Sequence, residues 1–126
     1  MRVAYVDTSC LVAIALGERG AATLERRLGE FDSLVSSNLL EAELRAALRR
    51  ERLDGADEVL RDLVWILPDR PLASEIATVL AAGSVRGADC WHFATALYLA
   101  PEPGALSFVT LDARQREVAG LLGFRV

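Results

Sequence analysis

Lysine is absent from the 126-residue sequence, and all 14 basic residues are arginine. That excludes a Schiff-base lysine, a phosphate-loop lysine and a lysine-rich tail. Nitrogen and sulfur ligands are almost as scarce. Cys10 and Cys90 lie far apart and His92 is the one histidine, so neither a four-ligand structural zinc site nor a disulfide framework can be assembled. Aromatic residues make up 6%, too few for an extended base-stacking platform. The longest uncharged runs, Thr8 to Gly17 and Cys90 to Pro101, fall well short of the ~18 to 20 residues that span a bilayer. The opening MRVAYVDTSCLVAIALG superficially resembles a secretory leader. Asp7 interrupts its apolar stretch and no small-x-small cleavage site follows, so it reads as a strand and then a helix. The expectation is a cytoplasmic protein with reduced thiols and no membrane association.

What is present describes a globular chain. Hydrophobic residues reach 52% and charged residues 25%, and the length suits one domain over residues 1–126 with a real core. Short apolar runs alternate with helical periodicity. Strands are expected at Val3 to Val6, Ser33 to Ser36, Ser107 to Thr110 and Phe124 to Val126. Helices are expected at Thr8 to Leu16, Ala21 to Leu28, Leu72 to Ala82, Ala88 to Ala100 and Ala113 to Leu122. Asn38 is placed as the cap of a long helix reaching about Leu53, where Asp54 and Gly55 end it. Ala56 to about Val64 reads as helix, and Trp65 to Leu67 as a short strand or a helix end. The alternation implies an α/β sandwich on a mostly parallel sheet, a class that gathers ligands at the carboxyl ends of its strands.

Four acidic residues stand apart from the solvated helix charges. Asp7 directly follows the first strand and lies either at the functional end of the sheet or at a helix N-cap that Thr8 and Ser9 can also supply. Asp112 follows the Ser107 strand in the same way, and with Gln115 it forms a capping-box pattern, a role compatible with an outward-facing second oxygen. Asp89 falls in the first turn of its helix, where the macrodipole favours a carboxylate whatever its role. His92 stands three residues on, beside Phe93 and Ala96, and reads as a packed or solvent-edge residue. Glu41 and Glu43 flank one apolar stripe. Glu41 has Arg45 at i+4 as an ordinary partner, whereas Glu43 has alanines at i+3 and i+4 and no local basic partner.

A carboxylate lacking a counter-charge suggests a cation, and an oxygen-only donor set suits Mg²⁺ or Mn²⁺. The formal charge is −4. Without Asp7, Glu43, Asp89 and Asp112 the rest of the chain is neutral and rich in arginine, a balance that fits a metal-dependent enzyme acting on a polyanion.

The motifs VDTS with Asp7, SSNLLEAELRAAL with Glu43, RGADCWHFATAL with Asp89 and FVTLD with Asp112 together resemble the PIN-domain ribonucleases, especially the VapC toxins of toxin-antitoxin pairs. Each motif alone is weak, but four in order at the right elements are specific. The resemblance implies a three-layer α/β/α PIN-like fold in which the four acids converge around one or two Mg²⁺ or Mn²⁺ ions. It places Asp7 and Asp89 as principal ligands, Glu43 and Asp112 as ligands through water or at a second metal, and Ser9 and Thr110 as flanking hydroxyls. It also implies an endoribonuclease that hydrolyses tRNA or rRNA by metal-activated water to 5′-phosphate and 3′-hydroxyl ends. A homodimer and a small cognate antitoxin complete the picture. Arg45, Arg49, Arg50, Arg86, Arg114 and Arg116 form the pool that can position an RNA backbone, against a plain reading as solvated or ion-paired surface. Cys10, Cys90 and Trp91 depart from the aliphatic residues common at those positions. Trp65 and Trp91 read as core before they read as partner anchors.

Two rivals remain open at the level of sequence. One is a PIN nuclease of RNA or DNA processing with no antitoxin. The other is a non-catalytic PIN-like scaffold or binding module, which would be expected to have lost one of the four acids. A receiver-type phospho-acceptor needs a lysine and is excluded.

Overall fold

A computed structural model describes all residues, 1–126. Four short strands form its only sheet: β1 (Val3–Val6), β2 (Ser33–Ser37), β3 (Leu63–Ile66) and β4 (Ser107–Val109). Their order is β3-β2-β1-β4 and every pairing is parallel. The helices are α1 (Thr8–Ala15), α2 (Ala21–Leu28), α3 (Leu39–Arg50), α4 (Ala56–Leu60), α5 (Ala73–Ala82), α6 (Gly87–Leu99) and α7 (Ala113–Leu121). No helix is long and apolar enough to cross a membrane.

Strand alternation sorts the side chains into two cores. Ala4, Val6 and Val109 face one way and meet Leu11 of α1, Leu24 and Leu28 of α2, Leu40, Leu44 and Leu48 of α3, and Leu60 of α4. The i, i+4 spacing of the three α3 leucines puts them on one buried stripe. Tyr5, Val35 and Phe108 face the other way, onto Val79 of α5, Phe93 and Ala96 of α6, Val118 of α7, and Phe124. Phe108 anchors this second core, stacking on Tyr5 at 5.2 Å and on Phe93 at 4.6 Å between ring centroids. The outcome is the three-layer α/β/α sandwich expected from the alternation of elements.

The chain steps outward from β1 to β2 to β3 and then returns to the other side of β1 as β4. Order therefore reverses between β1 and β4, and the crevice of such a sheet opens beyond the carboxyl ends of those two strands.

Several local expectations are corrected. The stretch assigned to helix through Val64 stops at Leu60, and Leu63 already pairs with Leu34 in β3. The β-branched and aromatic run Val64-Trp65-Ile66 takes the edge of the sheet, which settles the Trp65 ambiguity as strand. α3 ends at Arg50 rather than Leu53, with Arg52 in the left-handed region at φ 55°. Asn38 does not cap α3 with its side chain. The hydroxyl of Ser37 does so instead, accepting from Leu39 N at 3.1 Å. The last expected strand reduces to a single parallel bridge from Arg125 to Ser107, because only the backbone around Arg125 reaches β4, through Phe108 N to Arg125 O and Arg125 N to Leu106 O.

Candidate active site

Asp7 leaves β1 and occupies the N-cap position of α1, but its side chain makes no capping bond. Its backbone N–H donates to Val109 O at 2.9 Å, which fixes it beside β4. The carboxylate is buried. Its Oδ2 accepts from Ser9 Oγ at 2.8 Å and from Thr110 Oγ1 at 2.9 Å, while Oδ1 takes no hydrogen bond from the protein. Ser9 and Thr110, the expected flanking hydroxyls, thus aim one oxygen of Asp7 and leave the other available.

Glu43 reaches the same end of the sheet from the second turn of α3. Its Oε1 accepts from Thr8 Oγ1 at 2.8 Å and pairs with His92 Nε2 at 2.7 Å. The bond to His92 is the main cause that holds the Glu43 carboxyl below its usual range, the bond from Thr8 adds to it, and burial opposes them. Glu41 pairs with Arg45 at 2.8 Å, so the two glutamates divide as their local partners indicate. Asp89 enters in the first turn of α6, half-buried. Burial raises its carboxyl above the usual range and the like charges of Asp7 and Glu43 raise it further, offset by His92 and by the Gln115 amide.

Asp112 stands apart from this group. It is exposed and caps α7, its Oδ1 accepting from Gln115 N at 3.0 Å. Its backbone N–H donates to Thr110 Oγ1 at 3.1 Å, which places it at the rim of the site through the hydroxyl that also binds Asp7.

His92 is the residue that sequence reasoning undervalued. It is 1% exposed and bridges the two helical layers beyond the strand ends, with Nδ1 at 2.6 Å from Tyr5 Oη and Nε2 on Glu43. Tyr5 Oη also accepts from Ser37 N at 3.0 Å. Burial drives the Tyr5 phenol well above its usual range, so it stays protonated. The signal available in the sequence was the i, i+3 spacing of Asp89 and His92, which puts both on one face of α6. Neither tryptophan is fully buried: Trp65 packs at the edge of the first core, and Trp91 donates from Nε1 to Ser37 Oγ at 3.0 Å beside the site.

The arginines separate by position. Arg116 donates to Thr110 O at 3.1 Å and so borders the site, and Arg86 is exposed at the N-cap position of α6, three residues before Asp89. Arg45 is tied to Glu41 and, at 2.7 Å, to Asp57. Arg114 pairs with Glu117 at 3.3 Å, and Arg49 and Arg50 are exposed at the far end of α3.

The donor chemistry fits a hard divalent cation. The gathered groups are carboxylate oxygens, Asp7 keeps one oxygen free of hydrogen bonds, and the mutual repulsion on Asp89 is what such a cation relieves. No three carboxylate, imidazole or thiol groups stand close enough to chelate one ion as they are arranged. Two roomy grooves, about 580 Å³ beside Leu28, Phe31 and Val59 and about 700 Å³ beside Val35, Ile66 and Leu99, contain none of the four acids. The candidate site at the strand ends lies outside both grooves.

Residues 4–121 match the family model described as PIN domain. No curated protein and no solved structure matches the chain.

Proposed function

The chain belongs to the PIN-domain family, a nuclease-type fold, and from that premise we propose that it is a divalent-metal-dependent endoribonuclease acting as the toxin of a toxin-antitoxin pair. The observation that carries the reading is the convergence of Asp7, Asp89 and Glu43, from three different elements, at the sheet's switch point, where burial first and then the charges of Asp7 and Glu43 raise the Asp89 carboxyl. Acidic groups crowded against burial and one another are costly in a merely structural position and useful where charge is to be handled.

In this reading Asp7 and Asp89 hold Mg²⁺ or Mn²⁺, with Glu43 acting directly or through water and Asp112 at the rim. A divalent ion held there supplies Lewis acidity, making water more acidic and stabilising charge that develops on a phosphodiester. The protein's own part is alignment. Ser9 and Thr110 set the rotamer of Asp7, and Thr8 and His92 set that of Glu43. Arg116 and Arg86 flank the acids and suit contacts to phosphates on either side of the scissile bond. A homodimer and a cognate antitoxin protein are the partners of this proposal, and tRNA or rRNA its substrates.

Induced expression tests the toxin role, since growth should arrest with the parent chain and continue with Asp7→Asn made at the same level. Purified protein tests the chemistry on single-stranded RNA and DNA oligonucleotides with Mg²⁺, Mn²⁺ or EDTA. Metal-dependent cleavage of RNA supports the proposal. Cleavage of DNA alone transfers the site to DNA processing, and no cleavage of either by folded protein leaves a scaffold.

A further inference from the structure

The hydrogen bonds around His92 can be assigned a direction atom by atom. The neighbours of Nε2 are Glu43 Oε1 at 2.7 Å and Thr8 Oγ1 at 3.4 Å. The carboxylate can only accept, and the single hydroxyl proton of Thr8 is given to Glu43. Nε2 therefore has acceptors on every side and must carry a proton. At the other nitrogen, Tyr5 Oη accepts from the backbone N–H of Ser37, which leaves its own proton for Nδ1. A proton on Nδ1 would strand the buried phenol hydrogen without an acceptor.

We infer that Tyr5 and His92 are positioning residues for Glu43: the chain from Ser37 N–H through Tyr5 and His92 fixes an Nε2–H imidazole that clamps Glu43 through Oε1 and leaves Oε2 available to a cation. Ring packing holds the device in place, since Tyr5 stacks on Phe108 at 5.2 Å with an interplanar angle of 8°. Histidine is used here as an oriented donor, in the way that partners behind a metal ligand fix its direction. The link to cation binding rests on the metal-dependent reading above, whereas the tautomer does not.

His92 is the chain's one histidine, so long-range ¹H–¹⁵N correlation of ¹⁵N-labelled metal-free protein reports it without ambiguity. The parent should show Nε2 protonated and Nδ1 bare. Tyr5→Phe, which removes only the hydroxyl, should leave Nε2 protonated against Glu43 and free Nδ1 of its donor, moving the Nδ1 resonance toward that of an imine nitrogen without a hydrogen bond. Calorimetric titration with Mn²⁺ alone then reads the consequence. His92→Leu should weaken binding about tenfold, the lower end of the 10- to 100-fold range typical of such partners. His92→Gln, which restores an N–H donor toward Glu43, should recover most of the loss, and Tyr5→Phe should cost nothing further in a His92→Leu background. If His92→Leu does not fold, His92→Gln and Tyr5→Phe decide the affinity question. A parent His92 protonated at Nδ1, or Mn²⁺ affinity untouched by these substitutions, overturns the inference. A parent that binds no Mn²⁺ overturns the metal-dependent reading instead, and the tautomer then decides the relay alone.

Discussion

Replacing Asp7 by asparagine separates the chemistry of the site from its contribution to the fold. Asp7 is 7% exposed, and its Oδ2 accepts two hydroxyl bonds, at 2.8 and 2.9 Å. Bonds to an ionised acceptor contribute about 1.5 to 3 kcal/mol each and neutral ones about 0.5 to 1.5. Converting both therefore costs about 2 to 3 kcal/mol. Removing a buried charge that repels Asp89 offsets part of that, so the net loss for Asp7→Asn should not exceed about 3 kcal/mol. Asp7→Ala removes the same charge, but Ser9 and Thr110 also lose their shared acceptor, so it should be less stable than Asp7→Asn by about 1 to 2 kcal/mol. Cleavage should fall at least about 10²-fold in both variants, the order seen when one preorganised charge-stabilising group is lost. Thermal and urea unfolding in EDTA, followed by far-UV circular dichroism, give the stabilities, and a labelled RNA gives the rates. An Asp7→Asn protein that cleaves like the parent, or that is less stable than Asp7→Ala, refutes the reasoning.

Three further outcomes follow from the same geometry. Burial and the charges of Asp7 and Glu43 raise the Asp89 carboxyl, so metal-free protein should lose stability relative to Asp89→Asn as pH climbs through the titration of that group. The gap is absent below the unfolded value and complete above the folded one, and urea midpoints measured between pH 3 and pH 7 would show it; adding Mn²⁺ at pH 7 should stabilise the parent and not the variant. Phe108→Ala removes the ring that stacks on Tyr5 and Phe93 and should cost about 3 to 5 kcal/mol, checked by denaturant unfolding, where a loss below about 1 kcal/mol would contradict this view of the second core. Cys10 and Cys90 are free and buried, and burial pushes the Cys10 thiol up to about 12; a thiol reagent should label neither promptly in the native protein and both in guanidinium, while fast native labelling of Cys10 would show that the first core opens.

The architecture was legible because the short apolar runs and the helical stripes have different periods, and because Asp7 directly follows a strand. The failures were local. Leu63 and Val64 lengthen what reads as a helix from Ala56, and only pairing with β2 recruits them to the sheet. Asn38 has the composition of a cap, but Ser37 is the residue whose hydroxyl reaches Leu39 N. At the site, the lack of a local basic partner marked Glu43 over Glu41, yet its true partner is 49 residues away on α6. Such a pairing has no sequence period to betray it. His92 looked like core because it is core by burial, and only the arrangement of Tyr5, Thr8 and Glu43 around its two nitrogens gives it a second meaning. Asp112 shows the reverse, since its capping-box pattern with Gln115 describes what the side chain does.

Sequencing of 5′-phosphate ends from total RNA, after incubation with purified protein and Mg²⁺ or Mn²⁺, tests the central claim most directly. Asp89→Asn and an EDTA-treated sample run alongside. The account predicts a small set of discrete new ends that require both the metal and Asp89. Ends that persist in EDTA or in Asp89→Asn, or no new ends from folded protein free of any partner, would contradict it.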